Sequence, residues 1–180
     1  MPSPIAHVAA GYALYRWIGT RVPAPVKSRP ALFILAACAC GSLLPDLDSI
    51  VGVLAGDLGR FHNNLSHSIT AGILVSLLLA SVMRVAAGTG FTPWFFLALA
   101  CYEIHLLMDY FTVGRGIMAF WPFVDARFQA PWPVFLGVQW GLGVWTIEHI
   151  WTALSELVFV GMLAFMMYLV SRMHRRKEEI

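Results

Sequence analysis

Charged residues are scarce in this chain, 12% of 180 residues, where a soluble domain carries roughly a quarter. With 59% hydrophobic residues and a mean hydropathy of +0.72, that scarcity excludes an ordinary soluble enzyme and predicts a membrane protein. Cysteine is nearly absent as well. Cys38 and Cys40 are two residues apart and so point to different faces of a helix, and Cys101 stands alone, which excludes a thiolate chelate built from one helix. The three are expected to be small buried hydrophobes. No basic residue precedes the first apolar run, and His7 interrupts that run, so it is read as a retained helix and not a cleaved signal. Repeats, low-complexity tracts and linkers are lacking too, which predicts one domain over residues 1–180. The net charge of +2 gives no sign of a nucleic-acid partner.

What is present is a series of apolar segments. Trp151 to Val170, Leu65 to Val85 and Phe91 to Phe111 approach or exceed the ~20 residues of a crossing. Pro4 to Ile18 and Ala31 to Leu44 are shorter and are expected to complete the bundle as tilted or half-embedded helices. Val134 to Ile147, with three glycines, reads as either a re-entrant or an interfacial helix. The expectation is an all-α integral membrane helical bundle with about four to six membrane-embedded helices. Arg16, Arg21, Lys27 and Arg29 fill the first connection, and Arg84 ends a later helix. Arg172, Arg175, Arg176 and Lys177 mark residues 171–180 as a basic tail. The positive-inside rule puts those ends in the cytoplasm, and the N-terminus and the loops at 45–64 and 112–133 on the outer side.

The outer ends are where the polar residues collect. His105 and Asp109, four residues apart, share one face of an apolar helix. An ionisable group at a helix centre in a bilayer costs about 2.5 kcal/mol or more, so the pair is either a site or a buried hydrogen bond that ties helices together. His7 precedes Gly11 by one turn, and glycine there lets another backbone come close. Pro45-Asp46-Leu47-Asp48 presents two carboxylates in a turn or extended segment, which could face one ion or two neighbouring ions, or leave one Asp as a helix cap. His62 and His67 flank a loop-to-helix junction with Asn64 as the expected N-cap. Together His7, Asp46, Asp48, His62, His67, His105 and Asp109 exceed what one ion needs. They fit two neighbouring hard-to-borderline ions, zinc or manganese. Two close ions can turn a water into a nucleophile while clamping a phosphoryl oxygen.

The segments Ile5-Ala6-His7-Val8-Ala9-Ala10-Gly11, Pro45-Asp46-Leu47-Asp48, His62-Asn63-Asn64-Leu65-Ser66-His67-Ser68 and His105-Leu106-Leu107-Met108-Asp109-Tyr110-Phe111-Thr112, followed by Trp121-Pro122-Phe123, resemble the YdjM-type membrane-bound metal-dependent hydrolases of bacteria. Those proteins are in turn similar to the zinc-dependent phospholipase C and nuclease group. The resemblance spans residues 5 to about 123 and leaves the last third without a motif. It implies a multi-pass inner-membrane protein with a multinuclear zinc site acting on phosphate esters, and the seven His and Asp residues above match the motif's ligands by position. One departure is plain: the family commonly has His-Arg-Gly before a Thr-His-Ser triplet, whereas Asn63 and Asn64 follow His62 here and Ser66 replaces Thr. The residues following His62 therefore supply no arginine to a substrate phosphate.

The resulting expectation is a metal-dependent hydrolase at the outer membrane–water boundary. Its substrate would be a phospholipid or other phosphoester amphiphile, with about two zinc ions and with Asp48 and Asp109 as catalytic carboxylates, Asp48 orienting the water. The competing reading is a metal-binding or metal-transporting membrane protein without hydrolysis; a transporter predicts acidic residues through both leaflets and paired half-helices. A purely structural bundle is the third, for which seven convergent ligands are excessive. Arg115 and Arg127 are expected to be solvated or to meet lipid headgroups. His149 and Glu156 share a helical stripe and could support the ligands from behind. Glu103 points away from His105 toward another helix. Trp121, Trp132, Trp140, Trp145 and Trp151 are expected to anchor the chain at the interface.

Overall fold

The computed structural model of the chain describes residues 1–24, 29–56, 62–138 and 146–178, without the side chains of residue 20 and of residues 174–178. Lys27, Phe61, Trp140, Trp145, most of the second half of the 134–147 segment and the side chains of Arg175, Arg176 and Lys177 lie outside the described residues. All regular structure among the described residues is helical: α1 Pro4–Trp17, α2 Pro30–Gly41, α3 Asp48–Leu54, α4 Ile69–Ala87, α5 Phe91–Tyr110 and α6 Ile147–Glu178. Short 3-10 turns at Gly19–Arg21 and Leu44–Leu47 complete it.

Helix starts and stops follow local chemistry. Pro4 and Pro30 occupy first-turn positions, where proline's missing N–H costs nothing. The expected cap at Asn64 is displaced: α4 begins after Ser68, whose hydroxyl accepts from Ala71 N–H, because residues 62–68 are used to carry the two imidazoles. α4 ends on Gly88 in the left-handed conformation, with Arg84 in its last turn.

Among the described residues, three helices are long and apolar enough to cross a bilayer: α4, α5 and the Ile147–Met173 part of α6. α2 and the Leu44–Leu54 stretch, bent by 58°, give a fourth if they form one broken span. α5 is the hub, packing on α1, α2 and α4, while α6 packs on α1. The buried stripe of α5 runs Trp94, Leu97, Cys101, Tyr102, His105, Met108 and Asp109, so the polar pair continues the stripe that meets the other helices. Between lipid-embedded helices the attraction comes from close packing, and small residues allow it. A Cβ added at Gly11 would sit 2.7 Å from the Cys38 carbonyl oxygen, so α1 and α2 touch backbone to backbone one turn below His7. Cys38 and Cys101 are buried where α2 meets α5, and Cys40 faces outward.

Residues 111–138 form a strap over one end of the bundle. Val113 N–H donates to the Phe135 carbonyl, Ile117 and Phe128 exchange backbone bonds, and Ala130 N–H donates to the Tyr110 carbonyl. Ile69 N–H donates to the Ala119 carbonyl, which ties the strap to the first turn of α4. The first turns of α1 and α4 and the last turns of α2 and α5 meet beneath it, while Arg16 and Arg84 lie in the last turns of α1 and α4, at the opposite end.

Candidate metal centre

All seven His and Asp residues singled out from the sequence come together under this strap. His7, His67, His105 and Asp109 have no exposed side-chain surface, whereas His62, Asp46 and Asp48 keep 10–14% at an open edge. The helical spacing of His105 and Asp109 puts both on the inner face of α5, and the His7 ring stacks on His105 at 3.8 Å between centroids.

The separations are those of donors arranged around something between them. His67 Nε2 lies 3.3 Å from His105 Nε2, 3.6 Å from Asp46 Oδ1 and 3.2 Å from Asp109 Oδ2. His105 Nε2 lies 3.4 Å from Asp46 Oδ1 and 3.7 Å from Asp109 Oδ2. Four ligands on a tetrahedral zinc at 2.0–2.1 Å stand roughly 3.3 Å apart along each edge. The five separations fall close to that value and mostly exceed a hydrogen bond. Both oxygens of Asp46 and of Asp109, both nitrogens of His7 and His62 Nε2 are buried without a hydrogen-bond partner. Leaving that many buried polar atoms unmet costs about 1–3 kcal/mol each, and a shared cation removes the cost for the carboxylate oxygens and the imidazole lone pairs. Among the described residues, two donor groups have the spacing to hold an ion: His7, His105 and Asp109 within the bundle, and Asp46, His62 and His67 toward the edge. Burial opposes charge on His67, yet the neighbouring carboxylates of Asp109, Asp46 and Asp48 more than offset it and raise its pKa. The same field draws a cation. The donor chemistry, imidazole and carboxylate without thiolate, fits zinc or manganese.

Behind the imidazoles lie groups that spacing did not reveal. His105 Nδ1 is 2.7 Å from the Ser42 carbonyl oxygen, and His62 Nδ1 is 2.8 Å from both Ser49 Oγ and Asp48 Oδ1. Ser66 Oγ donates to Asp48 Oδ2 at 2.6 Å, and the Tyr102 hydroxyl donates to the Ser66 carbonyl at 2.5 Å. The backbone from Leu44 is a 3-10 turn running into α3, the turn and not the extended one of the two expected alternatives. In helical backbone, residues two apart point about 200–240° from each other, so Asp46 and Asp48 do not face the same point. Neither Asp caps α3 with its side chain.

Other expectations resolve individually. Arg127 does not extend into solvent: it donates to the carbonyls of Asn63 (2.9 Å) and Gly116 (3.1 Å) and to Asn64 Oδ1, fastening the strap to the loop after His62. Asn63 holds a left-handed φ of 58° there. Arg115 remains exposed. Glu156 does not stand behind a ligand; it accepts from Ser3 N–H at 2.6 Å and from the Ser3 hydroxyl, at the start of α1. His149 and Glu156 line, with Ser3 and Thr152, a separate cavity of about 520 Å³. Glu103 faces α4, against Gly72, as expected. Trp132 and Trp151 are exposed.

No solved structure matches the chain. It is 30% identical over 176 residues to the inner membrane protein YbcI of Escherichia coli (strain K12), covering 91% of this chain and 97% of that protein. Matched over residues 1–178, the chain belongs to the YdjM inner membrane protein family.

Proposed function

We propose that this inner-membrane protein is a metal-dependent hydrolase of phosphoester amphiphiles, with His7, Asp46, His62, His67, His105 and Asp109 as the ligands of two divalent ions, zinc in the first instance. The observation that carries this reading is the gradient of exposure across one continuous donor cluster. His7, His105 and Asp109 form a closed end, and Asp46 and His62, whose side chains keep 10–13% of their surface exposed, form the end nearer the surface. Bound there, the ions would supply a Lewis acid and a water of lowered pKa.

The protein's own residues do the rest. Asp109 joins the two ends, its Oδ1 3.6 Å from His7 Nε2 and its Oδ2 3.2 Å from His67 Nε2. Asp46 and His62 hold the reacting phosphoryl group's side of the centre, and the strap excludes bulk water from the closed end. The mouth favours a lipid. α3 starts at Asp48 and exposes Ile50, Val51, Val53 and Leu54, while the strap exposes Phe123 and Trp132. Apolar side chains around a polar mouth suit a headgroup delivered from the bilayer, and under the positive-inside rule the basic ends of α1 and α4 support an outward-facing mouth.

The test is elemental analysis of detergent-purified protein in chelator-free buffer, followed by phospholipid and chromogenic phosphodiester hydrolysis before and after chelation. About two ions per chain and a chelator-sensitive activity are expected. Metal-free protein refutes the reading. The complete burial of four donors favours a second reading, a metal-binding membrane protein without hydrolysis, which retains the ions and cleaves neither substrate.

A further inference from the structure

We infer that Asp48 is a positioning residue that aims two imidazoles at the metal centre from behind, and is not itself a ligand. The inference rests on the metal-centre reading above and assigns a separate role within it. Asp46 and Asp48 bracket the same two rings from opposite sides. Asp46 Oδ1 lies toward the Nε2 atoms, 3.8 Å from that of His62 and 3.6 Å from that of His67. Asp48 lies toward the Nδ1 atoms, Oδ1 2.8 Å from that of His62 and Oδ2 3.2 Å from that of His67. One carboxylate therefore faces both Nδ1 atoms, hydrogen-bonded to that of His62 and reaching that of His67 both across 3.2 Å and through Ser66 Oγ. Each ring is held as the tautomer whose Nε2 lone pair is free, and the two rings are fixed near perpendicular, 81° apart.

Two further observations support the assignment. Ser66 Oγ donates to Asp48 Oδ2 at 2.6 Å and lies 3.0 Å from His67 Nδ1, so the Nδ1 side of these rings is a closed hydrogen-bonded network. The Asp46 oxygens, by contrast, are buried and unpartnered, as a ligand's are before its ion arrives. Neither group of potential metal donors includes Asp48. His105 follows the same plan with a different acceptor, its Nδ1 2.7 Å from the Ser42 carbonyl oxygen. Asp48 thereby couples the loop His62–His67 to the first turn of α3.

The experiment compares wild type, Asp48→Asn, Asp46→Asn and Ser66→Ala by zinc titration, by the visible spectrum of the cobalt(II)-loaded protein and by melting of the metal-free protein. Asp48→Asn is expected to bind two ions at saturation with the wild-type cobalt spectrum, but about 10–100-fold more weakly, as for lost outer partners of metal-bound histidine. Its metal-free Tm should stay near wild type, which separates positioning from a merely structural role. Ser66→Ala should weaken zinc severalfold in the same direction, and it carries the test if Asp48→Asn does not fold. Asp46→Asn should lose an ion and change the cobalt spectrum. Loss of an ion with an altered spectrum in Asp48→Asn makes Asp48 a ligand and overturns the inference; wild-type zinc affinity in Asp48→Asn, or in Ser66→Ala, overturns it equally. A wild-type protein that takes up no metal refutes the hydrolase reading instead.

Discussion

Asp109→Asn separates a metal ligand from a structural hydrogen bond at the centre of α5. The carboxylate is inaccessible, and its nearest polar neighbours are imidazole nitrogens at 3.2, 3.6 and 3.7 Å. Two of these separations exceed a hydrogen bond and the third lies at its limit, and both oxygens lack a hydrogen-bond partner. If Asp109 served only to pair with histidine, an amide of the same shape would replace it at a cost of about 1 kcal/mol in stability. If it holds an ion, the change deletes one negative charge and one donor from the closed end. The loss should then exceed the roughly 10–100-fold typical of an outer partner, so more than about 2.8 kcal/mol of metal affinity at 1.4 kcal/mol per decade. The assay is bound metal after dialysis against a graded zinc buffer, with His105→Gln run in parallel and expected to behave similarly. Glu103→Gln is the internal control, because that side chain packs against Gly72 on α4, away from the cluster. Full metal content in Asp109→Asn together with loss in Glu103→Gln would place the ion on the wrong side of α5 and refute the reasoning.

Two other predictions follow from the helix contacts and the charge distribution. Gly11→Ala puts a methyl group 2.7 Å from both the Cys38 carbonyl oxygen and Ser42 Oγ, so α1 and α2 must separate; we expect about 1–3 kcal/mol of destabilisation, and an unchanged melting transition would contradict it. In a cysteine-free background, Ala55→Cys at the end of α3 should react with a membrane-impermeant thiol reagent added from the outer side; labelling only from the cytoplasm reverses the orientation and moves the mouth with it.

The sequence by itself determined the class of molecule and singled out the seven polar residues that the fold brings together. Low charge and long apolar runs leave a membrane bundle as the outcome, because lipid rewards apolar surface and demands internally bonded backbone. His105 and Asp109 were legible because helical spacing is a local property, and a His–Asp pair in an apolar helix is costly enough to signal a partner. The division of labour inside the site was not legible. Asp46 and Asp48 read alike in sequence, and only the 3-10 turn running into α3 sends one toward Nε2 and the other toward Nδ1. Ser42 acts through its backbone carbonyl, which any residue possesses, so no side-chain pattern could single it out. Arg127 and Glu156 found their partners 64 and 153 residues away, at Asn63 and Ser3. Those pairings depend on how the strap and α6 fold back over the bundle, and such long-range closure is decided by tertiary packing, where local spacing carries no information.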